Sequence, residues 1–195
     1  MKISASIQAA NQLNLLEHIN KNNEKFDQLH IDITDGHFAE NISMSFKTIE
    51  QLKNSTSYFL DVHLMINENL KYGKIAFDCG ADFVTVHKES TLLKDFVELS
   101  EFNKNIGIGL LPDTSNTQLT EYLDYANSVL LLGVNPGFSN QEQAIDLPEK
   151  VKDFNTCFPN FSGEIIVDGG VKNKDLNIFE KIGVDVVVQG GAIFG

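Results

Sequence analysis

Arginine is missing from this 195-residue chain, so every one of its 15 basic side chains is a lysine. The bidentate guanidinium clamps usual at nucleic-acid backbones cannot form, and 27 acidic groups bring the net charge to −12. Nucleic acid is therefore not expected as a partner. Cysteine is almost as scarce: Cys79 and Cys157 lie far apart and fit no C-x-x-C pattern, so both are expected as buried small hydrophobes in a reducing compartment. No run approaches the roughly 18 apolar residues a membrane span needs. The opening MKISASIQAANQLNLL has one early lysine and no continuous apolar core, unlike a secretory signal. These absences predict a cytoplasmic protein without a membrane partner. No Pro-rich or Ser-rich linker and no internal repeat divides the chain, so one domain over residues 1–195 is expected.

What the chain does have is alternation. Short runs of Val, Ile, Leu and Phe predict strands near 2–7, 28–33, 58–64, 82–87, 106–111, 128–134, 164–168 and 185–189. Stretches of helical length between them, such as 11–22, 67–79, 91–103, 115–126, 141–156 and 172–182, hold most of the charges. In C-G-A-D and I-G-V-D a glycine ends a helix and the aspartate opens the next strand. Eight such units fit a closed barrel or an open doubly wound sheet. Polar residues at strand ends decide between them. Ser6, His30, Asp32, His63, His87, Asn135 and Asp168 fall at or just past the C-terminal ends of six different strands, positions that converge only in a barrel. The expected fold is thus α/β, a (β/α)8 TIM barrel. Such barrels run to about 250 residues. Here the chain reaches Gly195 directly after the eighth strand, which leaves out the usual final helix.

His30 and Asp32 are two apart on one strand and so share a face. With His63 from D-V-H-L-M and Asp168 from V-D-G-G they make a four-donor set suited to a zinc-like or ferrous-like ion. A lone histidine on a strand is more often a hydrogen-bonded structural residue, but four convergent donors would repel or lose hydration without a cation. Asp61, two residues before His63, is placed to orient that imidazole or to serve the core. His87 is expected at a loop entry without a direct catalytic role, and His18 at the surface. Asp35-Gly36-His37 reads as a turn. A second theme is phosphate: N-P-G-F-S-N, D-G-G and Q-G-G-A follow strands six, seven and eight, where barrels often hold a phosphate on backbone amides.

K-I-S-A-S-I, H-I-D-I-T-D-G-H-F, D-V-H-L-M, G-A-D-F-V-T-V-H, V-N-P-G-F and V-D-G-G occur in an order and spacing that resembles the ribulose-phosphate 3-epimerases, from residue 2 to residue 195. The resemblance implies a ribulose-phosphate-binding type of barrel. It implies one divalent ion (zinc, iron, manganese or cobalt) on His30, Asp32, His63 and Asp168, with Asp32 and Asp168 as the acid/base pair. It also implies substrate contacts from Ser6 and His63. Gly137, Phe138, Ser139, Asn140, Gly169, Gly170, Gly190 and Gly191 would surround the phosphate. Thr34, Met65 and Leu132 would wall the reacting carbon.

Some positions depart from the family pattern. Ala5 and Glu40 stand where proline is usual, Ser139-Asn140 replaces two glycines in the phosphate loop, and Thr34 and Leu132 replace methionines. The reaction so implied is 3-epimerisation of a ketose phosphate, ribulose 5-phosphate to xylulose 5-phosphate, with allulose 6-phosphate as the near alternative. A weakly active metal- and phosphosugar-binding relative is the competing class. A decarboxylase or aldolase of similar fold ranks last, since Lys88 is the only lysine at a strand end. The short C-terminus should bare apolar surface beside the first and last strands, which predicts a homo-oligomer.

Overall fold

Period-two alternation sorts the side chains of each strand onto an inner and an outer face, and the two faces carry different chemistry here. A computed structural model describes all residues, Met1–Gly195. Eight parallel strands close in chain order: β1 (Lys2–Ser6), β2 (Gln28–Thr34), β3 (Leu60–Met65), β4 (Phe83–His87), β5 (Ile106–Leu110), β6 (Ser128–Leu132), β7 (Glu164–Asp168) and β8 (Val186–Gln189). The ring shuts between β1 and β8, from Lys2 opposite Val186 to Ala5 opposite Gln189. Outward residues such as Leu29, Ile31, Val62, Val84, Ile108 and Val129 join one large apolar layer beneath the helices.

The inner face is divided. Leu130, Leu132, Ile166, Val186 and Val188 form a separate apolar cluster on the side of β6 to β8. Ser4, Gln28, His30, Asp61, His63, Thr85 and His87 are buried on the side of β1 to β4. A buried polar group costs free energy unless it is paired. Much of the polar half is paired, Gln28 with Ser4 and His30 with Asp61, and its histidines lead to the site.

Around the barrel lie α1 (Leu15–Lys21), α2 (Phe46–Ser55), α3 (Asn69–Asp78), α4 (Leu93–Phe102), α5 (Leu147–Cys157), α6 (Leu176–Lys181) and α7 (Gly191–Phe194). Helix α5 starts where Asp146 accepts a hydrogen bond from the Glu149 N–H at 3.1 Å, with Pro148 in its first turn. Gly80 and Gly183, at φ +103° and +86°, follow α3 and α6 as the C-G-A-D and I-G-V-D segments predict. The aspartates of those segments tie the strand entrances together. Asp82 accepts from the Leu60 N–H at 2.9 Å, and Asp185 from the Ile165 N–H at 2.8 Å. Asp27 does the same for Ile3 at 2.8 Å.

Three expectations need correction, and one helix joins those predicted. Residues 115–126 form no α-helix, only a 3-10 turn at Asn116–Leu119 followed by further turns. There the buried Asn116 side-chain amide donates to the Lys150 carbonyl and to Asp153, which ties the segment to α5. Helix α2 was not marked by the sequence pattern. Cys157 is exposed and Cys79 half-buried, so neither is a core residue. The seam beside β1 and β8 is not bare: the single turn of α7 buries Ile193 and Phe194, and Phe194 packs on Phe26 and on a half-buried His18.

Candidate active site

Four of the inward polar residues come together at the C-terminal mouth. The register sets Asp32 of β2 beside His63 of β3, and Ser6 of β1 beside His30 of β2. Asp168 ends β7, three strands from β2 around the ring. One donor atom each from His30, Asp32, His63 and Asp168 falls within 4.8 Å of the others. His30 Nε2 is 3.3 Å from Asp32 Oδ1, 3.4 Å from His63 Nδ1 and 3.7 Å from Asp168 Oδ2. His63 Nδ1 is 3.1 Å from Asp32 Oδ1 and 3.5 Å from Asp168 Oδ2. A tetrahedron with bonds of about 2 Å has edges of about 3.3 Å. Five measured edges cluster around that length, so the donor set fits one small divalent cation.

Each donor is aimed by a further contact. Asp61 Oδ2 accepts the Nδ1–H of His30 at 2.7 Å, which turns the Nε2 lone pair toward the cluster. Of the two roles expected for Asp61, orienting His63 or serving the core, the buried carboxylate orients an imidazole, but that of His30. Asp61 does share the inward face with His63, but its register partner on β2 is His30. Ser6 Oγ donates to Asp32 Oδ2 at 2.7 Å and leaves Oδ1 for the cluster. His63 is held from behind by His87, whose Nε2 lies 2.7 Å from His63 Nε2. His87 is fully buried rather than at a loop entry, because Gly109 opposite it on β5 leaves room for the ring.

The electrostatics follow from this crowding. Burial works to discharge His30, yet Asp32 and Asp61 hold its imidazole well above the ordinary value. Burial opposes charge on His63 as well, and Asp168 and Asp32 raise it nonetheless. Burial likewise works against the Asp32 carboxylate, but His30 and His63 beside it hold the group below the usual carboxylate range. A divalent ion would replace that positive charge without needing protons on the rings.

Above the four donors opens a cavity of about 520 Å3. Its lining includes Ser6, Asp32, Met65, Leu132 and Asp168, and also Gly137, Phe138, Ser139, Asn140, Gly169, Gly170, Gly190 and Gly191. His30 and His63 lie beneath it, at zero exposure. Thr34 does not reach the cavity and borders a neighbouring pocket with His37 and Tyr72. Gly169 and Gly170 turn at φ +98° and +68°, and Asn140 adopts φ +61°, so the chain bends sharply where glycine or asparagine tolerates it. The Asn140 side chain lies over Gly191, against the space a Cβ there would fill. Gln8 and Asn41 had drawn no attention in the sequence. Their amides donate to the Gly137 carbonyl at 3.0 and 2.6 Å and clamp the loop after β6.

A model of the ribulose-phosphate 3 epimerase family matches residues 2–194. A ribulose-phosphate 3-epimerase of Aquifex aeolicus is 35% identical over 174 residues, covering 87% of this chain and 78% of that protein. One of Helicobacter pylori is 30% identical over 206 residues, covering 100% and 91%. Among solved structures, a 3-hexulose-6-phosphate synthase superposes with TM-score 0.69 at 22% identity, covering 100% of this chain and 92% of the other. A 3-keto-L-gulonate-6-phosphate decarboxylase of Vibrio cholerae does so with TM-score 0.73 at 14%, covering 100% and 90%. At those identities the two structures speak for the barrel fold alone.

Proposed function

Because this chain belongs to the ribulose-phosphate 3-epimerase family and is an isomerase, we propose that it inverts carbon 3 of a ketose phosphate and interconverts ribulose 5-phosphate and xylulose 5-phosphate. The observation that carries the reading is the pair of carboxylates, Asp32 and Asp168, which enter one donor cluster from strands three places apart. Epimerisation beside a ketone requires a proton to leave one face and another to arrive on the opposite face. A single base could only restore the starting isomer.

The barrier decides what else is needed. The mismatch between a ketone's α-proton and an ordinary carboxyl group is on the order of 14 pK units, roughly 19 kcal/mol at about 1.4 kcal/mol per unit. No aspartate meets that alone. His30, Asp32, His63 and Asp168 are the residues that would hold a divalent ion, zinc, iron, manganese or cobalt. Bound there, such an ion supplies Lewis-acid stabilisation of negative charge on the substrate oxygens.

The chain's own residues do the rest. Asp32, fixed by the Ser6 hydroxyl, holds or releases a proton on one face of the reacting carbon, and Asp168 on the other. Met65 and Leu132 exclude water beside it. Backbone groups of Gly137 to Asn140, Gly169, Gly170, Gly190 and Gly191 bind the phosphate, with N–H groups that a helix start leaves without intrahelical partners. That remote grip holds the carbon between the carboxylates. We further propose a homo-oligomer: Leu13 on the approach to α1, Leu16 on α1 and Ile178 on α6 are exposed apolar residues flanking the β1/β8 side of the barrel.

The test is incubation of zinc-loaded protein with ribulose 5-phosphate in deuterated water. Deuterium at carbon 3 together with xylulose 5-phosphate is the expected result. Deuterium entering allulose 6-phosphate and not ribulose 5-phosphate would move the assignment to the hexulose. No exchange in either would leave a phosphosugar-binding relative.

A further inference from the structure

Behind His63, away from the cavity, a chain of buried polar groups runs outward from the donor cluster and ends on one carboxylate. His63 Nε2 meets His87 Nε2 at 2.7 Å, and His87 Nδ1 meets Glu89 Oε2 at 3.3 Å. Glu89 Oε1 in turn accepts the Leu111 N–H at 2.8 Å and the Thr114 hydroxyl. Both rings have zero exposure, so no solvent reaches the bond between them, while Glu89 at the outer end of the chain is partly exposed.

Proton placement along this chain has one consistent solution for neutral rings. A carboxylate only accepts, so the His87 proton must sit on Nδ1, facing Glu89. His87 Nε2 is then an acceptor, and the His63 proton must sit on Nε2, facing His87. That leaves the lone pair of His63 Nδ1 free, and Nδ1 is the atom 3.1 Å from Asp32 and 3.4 Å from His30 Nε2. A ring carrying its proton on Nδ1 instead would offer a hydrogen, not a lone pair, to a cation.

We propose that Glu89 is a positioning residue of the cation site: through His87 it fixes the tautomer of His63 and so presents His63 Nδ1 to the metal. The inference rests on the four-donor reading above. It gives the two ligand histidines matched outer supports, direct from Asp61 for His30 and relayed from Glu89 through the His87 ring for His63. Gly109 and Phe38 belong to the device as packing. A Cβ at Gly109 would press on the His87 ring at 3.2 to 3.4 Å, and the Phe38 ring lies 5.0 Å from it by centroids.

Glu89→Gln tests it, because the surroundings dictate how the amide sits. Leu111 N–H and the Thr114 hydroxyl both donate to the Oε1 position, so the glutamine carbonyl takes that place and its NH2 faces His87. His87 must then accept at Nδ1 and carry its proton on Nε2, which sets a donor against the donor of a metal-bound His63. The measurement is long-range 15N–1H NMR of the imidazoles, only five in this chain, on metal-free protein at a pH where they are neutral. It is paired with zinc affinity by chelator competition.

In the wild type His63 should be the Nε2–H tautomer and His87 the Nδ1–H tautomer. In Glu89→Gln both should reverse, with zinc held ten- to a hundredfold more weakly, the usual cost of losing an outer-shell partner. Thr114→Val removes a bond to the same carboxylate without touching His87, and should leave tautomers and affinity within about twofold. A wild-type His87 protonated on Nε2, or unchanged tautomers and zinc affinity in Glu89→Gln, would overturn the proposal. Should Glu89→Gln not fold, the wild-type tautomers alone decide. A wild type with these tautomers that binds no zinc would refute the cation site and leave the proton order standing.

Discussion

The two ends of the cavity are built by opposite means. At the floor, the cage is made of side chains locked by other side chains: Asp61 on His30, Ser6 on Asp32, His87 on His63. At the rim, the cradle is made of backbone, turning through positive φ at Gly137, Gly169, Gly170 and Asn140. A cage of that kind works by residue identity and fails when one donor changes. A cradle works by chain conformation and tolerates different residues so long as the path is kept. On that contrast, side chains at Ser139 and Asn140 can leave the cradle's path intact, whereas a change at any of the four donors would break the cage.

Changing a cage residue should therefore cost most. Asp168→Asn is expected to lower kcat by about a thousandfold or more, in the range for loss of an essential acid/base group, while phosphosugar binding persists. Steady-state kinetics with a separate binding titration checks it, and comparable losses in both would erase the division between floor and rim.

A cradle change should act differently. At Gly170, φ +68°, an added Cβ would stand 3.0 Å from the Gln143 backbone nitrogen, so Gly170→Ala must shift the loop. The expected outcome is a KM raised on the order of tenfold with kcat nearly kept, as loss of uniform binding predicts. A fall in kcat alone would show that the cradle also shapes the floor.

The smallest effect concerns acid stability and sharpens where the cage ends. Burial tends to raise the Glu89 carboxyl, but His87, Thr114 and the Leu111 N–H bring it down from 4.5 to about 2. A depressed acid stabilises the fold above its unfolded value and loses that contribution as pH falls through the folded one. Glu89 should thus contribute stability above about pH 4.5 that fades toward about pH 2. After discounting for its partial exposure, this is on the order of 1 kcal/mol. Urea unfolding of wild type and Glu89→Gln across that window should show a shallower acid decline in the variant, and parallel curves would remove Glu89 from the network.

Much of the floor was legible in the sequence, and for a physical reason. Spacing of two puts His30 with Asp32, and Asp61 with His63, on the inward face of any strand that holds them. What spacing cannot give is register, which assigned Asp61 to His30 rather than to its own neighbour. His87 and Glu89 also lie two apart, but the charged pair Lys88-Glu89 reads as a loop entry, so the spacing rule does not by itself mark them as one unit. Glycines after strands six to eight marked the rim, but the Asn140 side chain lying over Gly191 depends on a backbone turn that composition does not encode. The segment 115–126 misled because its apolar spacing resembles a helix, whereas Asn116 is tied across to Lys150 and Asp153 of α5 and the Thr120 hydroxyl bonds back to the Thr117 carbonyl.

Cobalt added to metal-free protein and examined by X-ray absorption should occupy one site per chain, with two imidazole nitrogens and two carboxylate oxygens at about 2 Å, and His63→Ala should abolish that signature. A shell of water oxygens alone, or an unchanged spectrum in His63→Ala, would contradict the four-donor cage.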